Sequence, residues 1–289
     1  MQFQFRQLSV RSTSTSRFNS EPDHSLVDER NAPAFWRGVV DQNSNQPAPA
    51  SVYREMVSKE EADAIASEIL GNRMKRKRYE KGHWDSVITG YKEVELYDIH
   101  QLLEENENGS SSNSNCDDGS TEAIAIMAKA FGRIRKHLEK RHLPLGAQAD
   151  CSSATVKWLP CHAIDLRKKG ELNAHVDSVR FSGHLVAGLS LLSPAIMRLR
   201  HPPQPDEHES EKHKNETSIR DIDKASSSSP DIGHVDLFLP PRSLYVLSGV
   251  GRYECSHEIL PDASTFHSER EPIVVSRDQR LSIIFRDDK

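Results

Sequence analysis

The sequence predicts a mainly β fold with flanking helices, and three observations predict it. Short apolar segments at 154–159, 184–192, 196–199, 235–239, 243–248 and 281–285 crowd the C-terminal half of the chain. Turn-forming residues, among them Gly170, Pro194, Gly249 and Gly251, separate those segments, with no helical periodicity between them. Amphipathic helices come only earlier, before residue 140. Short strands in succession, without helices between, make a β-sandwich or jelly roll. The expected architecture is therefore an α+β chain whose β core, 151–289, follows a helical extension at 51–150.

The elements are justified in chain order. Arg6, Arg11 and Arg17 recur among serines and threonines in the first twenty residues, and the first acidic residue is Glu21. An arginine-bearing, hydroxyl-rich, acid-free start is the pattern of a mitochondrial transit peptide, so residues 1–20 are read as one and the mature protein is placed in the matrix. Residues 21–50 are polar and proline-bearing and read as a disordered linker. At Ser58-Lys59-Glu60-Glu61 a capping box opens a helix: Ser58 accepts from the Glu61 amide while Glu61 reaches back. Ala62, Ile65, Ala66 and Ile69 supply its apolar stripe, and Gly71 is the expected stop. Lys75-Arg76-Lys77-Arg78 follows. A short basic run has low specificity as a nuclear or nucleic-acid motif, and positive charge is favoured just past a helix C-terminus, so a solvated turn is the preferred reading.

Residues 106–120 are rich in Asn, Ser and Gly and read as a loop. Ile124, Met127, Phe131, Ile134 and Leu138 then recur at three- and four-residue steps, a helix presenting a core stripe. Within the β half, residues 201–234 hold only Ile219, Ile222, Ala225 and Ile232 as aliphatics. Such a stretch buries too little to offset its ordering entropy and is expected to be a disordered insertion.

Composition narrows the function classes. With 36% hydrophobic residues among 289, the chain can bury one sizeable core or two small ones. No apolar run approaches the roughly 20 residues of a membrane-spanning helix. A net charge of −5 argues against a surface shaped throughout to hold nucleic acid. The four cysteines, Cys116, Cys151, Cys161 and Cys255, form no C-x-x-C pair, so neither a zinc ribbon nor an oxidising compartment is implied. The chain is read as a monomer.

The chemistry lies in an H-x-D motif. Residues two apart on a strand face the same way, so an imidazole and a carboxylate so spaced can meet one metal. With a distant second histidine they occupy one face of an octahedral iron(II), leaving three positions for a bidentate oxo-acid and dioxygen. Three histidines begin such a motif: His83/Asp85, His175/Asp177 and His234/Asp236. His137/Glu139 and His267/Glu269 fit a looser form. His83/Asp85 has no strand scaffold around it. His137/Glu139 lies in the second helix, where residues two apart diverge. His234/Asp236 leaves little chain before His257, and His267/Glu269 has no histidine after it. His175, Asp177 and His257 remain as the best combination, the 81 residues between His175 and His257 being swollen by the insertion.

Arg280 and Arg286 bracket Leu281-Ser282-Ile283-Ile284-Phe285 and share one face of a strand. Facing inward, they need an anionic partner, which a dicarboxylate supplies through forked hydrogen bonds. Facing outward, they leave Leu281, Ile283 and Phe285 to pack the core. Alternation alone allows both.

Taken together, Asn173-Ala174-His175-Val176-Asp177-Ser178-Val179, Ala187-Gly188-Leu189-Ser190-Leu191-Leu192-Ser193, Ser243-Leu244-Tyr245-Val246-Leu247, Tyr253-Glu254-Cys255-Ser256-His257-Glu258-Ile259-Leu260 and Arg280–Arg286 resemble the AlkB-type dioxygenases, and among them a mitochondrial branch. Arg78-Tyr79-Glu80, His83-Trp84-Asp85 and the first helix are similar to the N-terminal part of that branch. The resemblance covers about residues 50–289 without the loop near 110 and the insertion. H-x-D…H-plus-Arg is shared widely, whereas H-x-D-S-x-x-F followed by G-L-S-L-L-S-P is far more specific. It implies a double-stranded β-helix (jelly roll, cupin-like) with helices packed outside, iron(II) held by His175, Asp177 and His257, and 2-oxoglutarate and dioxygen as cosubstrates. It turns the arginines inward: Arg280 binds the distal carboxylate of 2-oxoglutarate with a second hydrogen bond from Tyr245, while Arg286 lies near the metal-side end with Ser282 beside it. No catalytic residue beyond the metal centre is implied.

Many nucleic-acid demethylases of the family carry Asn and Tyr eleven and nine residues before the first histidine ligand. Here those positions are Ile164 and Leu166, and no aromatic-and-basic hairpin for a flipped base is evident, so DNA repair is disfavoured. The resemblance implies a link to fatty-acid metabolism and programmed necrosis, which fits a protein substrate. A mitochondrial RNA (tRNA) demethylase contacting RNA through Lys75-Arg76-Lys77-Arg78 is the alternative. A regulatory metal-binding scaffold with little turnover, docking through 201–234, is the second.

Overall fold

A computed structural model describes residues 20–32, 36, 48–82, 87–107, 119–143, 156–178, 180, 182–201 and 233–289. The expected transit peptide up to residue 19, His83-Trp84-Asp85, Cys116, Cys151 and insertion residues 202–232 lie outside them.

Ser58 caps α1, Lys59–Ala66, with both arms of the capping box formed. Gly71 does not stop it. The helix widens into a π segment, Ser67–Arg73, closed by the Met74 amide on the Ile69 carbonyl, while Arg73 ties Glu68 to Asp98. β3, Ile88–Glu95, and α2, Tyr97–Glu107, come next and were not legible as elements. The long α3, Gly119–His142, buries Met127, Phe131, Ile134 and Leu138 as its stripe requires. Among the described residues no helix is long and apolar enough to cross a membrane.

The core is one antiparallel sheet wrapped into a jelly roll. With β1 at Val27–Asp28, β2 at Ala50–Tyr53, β4 at His162–His175, β5 at Leu185–Leu192, β6 at Ala195–Arg200, β7 at His234–Leu239, β8 at Ser243–Ser248, β9 at Ser256–Ile259 and β12 at Arg280–Arg286, its order is β1-β7-β6-β9-β4-β12-β5-β8-β2. β3 pairs with β4 beside that path. β4 serves both halves: residues 162–166 pair with β12, and its far end pairs with β9. Between them it bends where Gly90, at φ +63°, meets Gly170; a Cβ on Gly170 would lie 2.7 Å from the Gly90 carbonyl. The path's two halves face each other, with β7 against β2 and β8. A hairpin of β10, Ser264–His267, and β11, Pro272–Val275, packs Phe266 on Phe238 outside the roll.

Alternation along β8 and β12 divides the apolar residues between two cores. Leu244, Val246, Leu281, Ile283 and Phe285 pack outward against α1 and α3. Tyr245, Leu247 and Ile284 face the interior with Met197, Leu199, Leu237 and Ile259. Arg280, Ser282 and Arg286, on the other parity from Leu281, therefore point into the roll.

Three expectations need correction. In segment 154–159 the described residues form only an isolated bridge, Trp158 to Asp287. Gly170 lies inside β4, and Gly249 and Gly251 inside a short helix, α4, Gly249–Tyr253. Part of the segment read as a disordered linker has defined structure. Val27–Asp28 adds to β7, and Leu26, Ala32 and Trp36 are buried, with the Trp36 indole on Glu29 at 3.0 Å. Those few apolar side chains anchor a stretch whose composition is otherwise polar.

Candidate metal centre

The site is built where β4 ends and β9 begins. His175, the last residue of β4, stands opposite His257 in the ladder, and their rings lie 4.2 Å apart between centroids. Asp177 is not on the strand, as the motif's geometry suggested, but just past its end. There its Oδ1 lies 3.5 Å from His175 Nε2. One ligand atom from each of the three residues lies within 4.8 Å of the others. Among the described residues no other group of His, Cys, Asp and Glu converges in this way.

Their protonation favours ligation. The Asn173 carbonyl, 2.8 Å from His175 Nδ1, can only accept, so Nδ1 carries the proton and Nε2 turns its lone pair inward. Burial pushes His257 down to about 4, against the pull of Asp177 and with help from His175 and Arg252, so it is neutral near pH 7. Burial alone would raise Asp177. The neighbouring His175, His257 and Arg286 outweigh it and hold the carboxyl well below the usual range.

The competing motifs are otherwise engaged. His137 sits edge-on to Tyr53 at 4.5 Å, while Glu139 accepts from the Trp158 indole. Asp236 is buried in a forked ion pair with Arg198 at 2.7 and 2.8 Å. His267 lies on the outer β10–β11 hairpin.

Deeper in the roll, β12 presents a row of unsatisfied donors. Arg280 is 4% exposed; its Nε donates to Ser190 at 3.0 Å, and its Nη2 is buried without a partner. Ser282 Oγ and Arg286 Nε are likewise buried and unpartnered. Burial lowers the Arg280 pKa, opposed by Tyr245 and reinforced by Arg277, yet no carboxylate among the described residues pairs with it. Burial also pushes Tyr245 up to about 12, so its hydroxyl keeps its proton as a donor. Its ring lies across Gly188 of β5, where an added Cβ would collide with it. Ile164 and Leu166 stand opposite Ser282 and Arg280 in the β4–β12 ladder.

Two imidazoles and one carboxylate at one point suit iron(II). Orphaned donors behind it on one strand face suit a dicarboxylate, since a buried guanidinium without an anion is costly. Ser190 and Gly188, which position Arg280 and Tyr245, lay unassigned within the G-L-S-L-L-S-P stretch. Arg252, fully buried beside Asp177, carried no signal in the sequence because nothing marks one arginine in a turn as buried.

No family model matches the chain. The mitochondrial alpha-ketoglutarate-dependent dioxygenase alkB homolog 7 of Mus musculus is 31% identical over 239 residues, 82% of this chain and 77% of the relative. The Bos taurus protein of the same name is 31% identical over 239 residues, 82% of this chain and 78% of its own length. Among solved structures, a Pseudomonas putida prolyl-4-hydroxylase gives a TM-score of 0.46 at 14% identity, covering 88% of this chain and all of that one. By its identity to these mitochondrial relatives over most of its length, the chain belongs to the AlkB-type alpha-ketoglutarate-dependent dioxygenases, mitochondrial oxidoreductases that use iron(II), 2-oxoglutarate and dioxygen.

Proposed function

We propose that His175, Asp177 and His257 hold the iron(II), that Arg280, Tyr245 and Ser282 receive the distal end of 2-oxoglutarate with Arg286 nearer the metal, and that the substrate is a protein side chain in the mitochondrial matrix. When bound, iron(II) and 2-oxoglutarate supply the oxidising chemistry: dioxygen converts the oxo-acid to succinate and carbon dioxide, and its second oxygen atom enters the substrate. The chain supplies position and charge. His175 approaches from the end of β4, Asp177 from just beyond it and His257 from β9, and the buried guanidinium of Arg280 neutralises an anion.

The observation carrying the cosubstrate assignment is the buried, carboxylate-free Arg280 beside the unpartnered Ser282 hydroxyl. An exposed apolar side chain within the ligand set favours a protein substrate: Val176, between His175 and Asp177, is 44% exposed. An apolar rim suits a peptide side chain better than a phosphate backbone. The link to fatty-acid metabolism and programmed necrosis, carried by the family resemblance, agrees with such a target.

A second reading, RNA, draws on a separate observation. Lys92 and Arg167 flank the Tyr79 ring beside the exposed run at 75–78. A basic surface around an aromatic ring suits a nucleic-acid strand.

Succinate formation with iron(II) and 2-oxoglutarate tests both readings. His175→Ala is expected to abolish turnover; unchanged succinate in that variant would end the metal assignment. Mitochondrial protein is expected to stimulate turnover and gain one oxygen atom. Stimulation by RNA alone, falling steeply with salt and blunted when residues 75–78 become alanine, would replace the protein reading.

A further inference from the structure

The strand ladder fixes the two histidines opposite each other, but nothing in it fixes Asp177, which lies past the end of β4. We infer that Arg252 is the positioning residue that fixes it. Arg252 lies on α4, five residues before His257, and is 2% exposed. Its Nη1 donates to the Asp177 carbonyl at 2.9 Å, and its Nη2 to the Ser178 carbonyl at 3.2 Å and to the Ser182 hydroxyl. One planar fork thus gathers the backbone on either side of the Asp177–Ser178 peptide and the hydroxyl of Ser182. The Tyr253 ring flanks the guanidinium at 5.4 Å, and the Tyr253 hydroxyl donates to the Gly183 carbonyl at 3.0 Å. The segment that delivers the second histidine therefore also clamps the backbone that delivers the carboxylate.

The guanidinium's charge does not account for its place there. Among the described residues it pairs with no carboxylate, and a buried cation beside a divalent metal site opposes metal binding. A residue present for its charge would weaken the site, and one present for stability would leave the affinity of the folded protein alone. Positioning has the opposite sign from the first and a different readout from the second. The inference rests on the metal assignment above.

Manganese(II) titrated into the full-length protein without 2-oxoglutarate and followed by electron paramagnetic resonance tests it, with thermal melting of the metal-free protein alongside. Arg252→Lys keeps the charge and loses the fork; Arg252→Met keeps the stem and loses both. Both are expected to weaken manganese(II) binding by roughly tenfold to a hundredfold, with the folded fraction confirmed by melting. Affinity within twofold of wild type for Arg252→Lys, or tighter binding by Arg252→Met, would overturn the inference. Should Arg252→Met fail to fold, Arg252→Lys decides. His175→Ala is the separate control: undiminished manganese(II) binding there defeats the metal assignment itself and leaves the clamp without a site.

Discussion

Side chains that conflict with their surroundings locate the chemistry. A buried arginine without a carboxylate and a buried serine hydroxyl without an acceptor both cost stability in the absence of a ligand. Arg280→Ala is accordingly expected to raise the 2-oxoglutarate requirement by roughly tenfold to a hundredfold. Ser282→Ala should weaken cosubstrate binding while leaving the metal-free melting temperature unchanged or higher, since it removes an unsatisfied group. Calorimetric titration and melting of both variants check the pair; a Ser282→Ala variant that melts markedly lower would show that its hydroxyl is satisfied from within. Gly188→Ala tests the same pocket from the opposite strand. A methyl there displaces the Tyr245 ring, so the half-saturating 2-oxoglutarate concentration should rise roughly tenfold. An unchanged value would mean that Tyr245 does not touch the cosubstrate.

At the scale of elements, local rules held where the chain is locally determined. The Ser58 capping box was legible because it needs only four consecutive residues, and Arg133 adds to it by gripping both oxygens of Glu61 at 3.1 and 2.8 Å. Ser58→Ala should lower unfolding stability by about 1 kcal/mol, measured by denaturant titration. β4 escaped notice for the converse reason. Asp165, Arg167, Lys168, Lys169 and Glu171 give it the look of a loop, yet β3 runs along both halves on one side while β12 pairs with the first half and β9 with the far end. Its conformation is imposed by partners on both sides, which no alternation within the segment records. The hairpin of β10 and β11 was missed likewise, since β11 exposes Pro272, Ile273 and Val274 and has no buried face of its own to pattern.

At the scale of the molecule, the helices and the roll share one interface, and a titratable group sits within it. His142 at the end of α3 is 7% exposed and bonds the Tyr53 hydroxyl of β2 at 2.8 Å. Burial, with the charges of His137 and Arg141, pushes it from the usual 6.5 down to about 4. The unfolded chain therefore binds more protons between those values, and stability falls as pH drops from 6.5 to 4. The loss attributable to this group is roughly 3 kcal/mol. Comparing the pH dependence of unfolding in wild type and His142→Gln isolates it; equal slopes across that window would mean that His142 is not held neutral.

The sequence by itself singled out the candidate residues for the chemistry. Metal-ligating and anion-binding side chains are few, and only one H-x-D had both strands about it and a histidine far enough beyond it. It narrowed the fold to a β-sandwich or jelly roll, because short apolar runs separated by turns leave little else to build, and the family resemblance chose between the two. The inward face of β12 was left open by alternation and resolved at that stage only by family resemblance. In the structure the choice follows from packing: α1 and α3 cover the outer side of β12, so Leu281, Ile283 and Phe285 go outward to them and Arg280, Ser282 and Arg286 take the interior. The meeting of His175 with His257 and the grip of Arg252 on the Asp177 backbone belong wholly to tertiary structure. Contacts between residues some 75 to 82 apart in the chain depend on how the sheet closes, and no local pattern contains that.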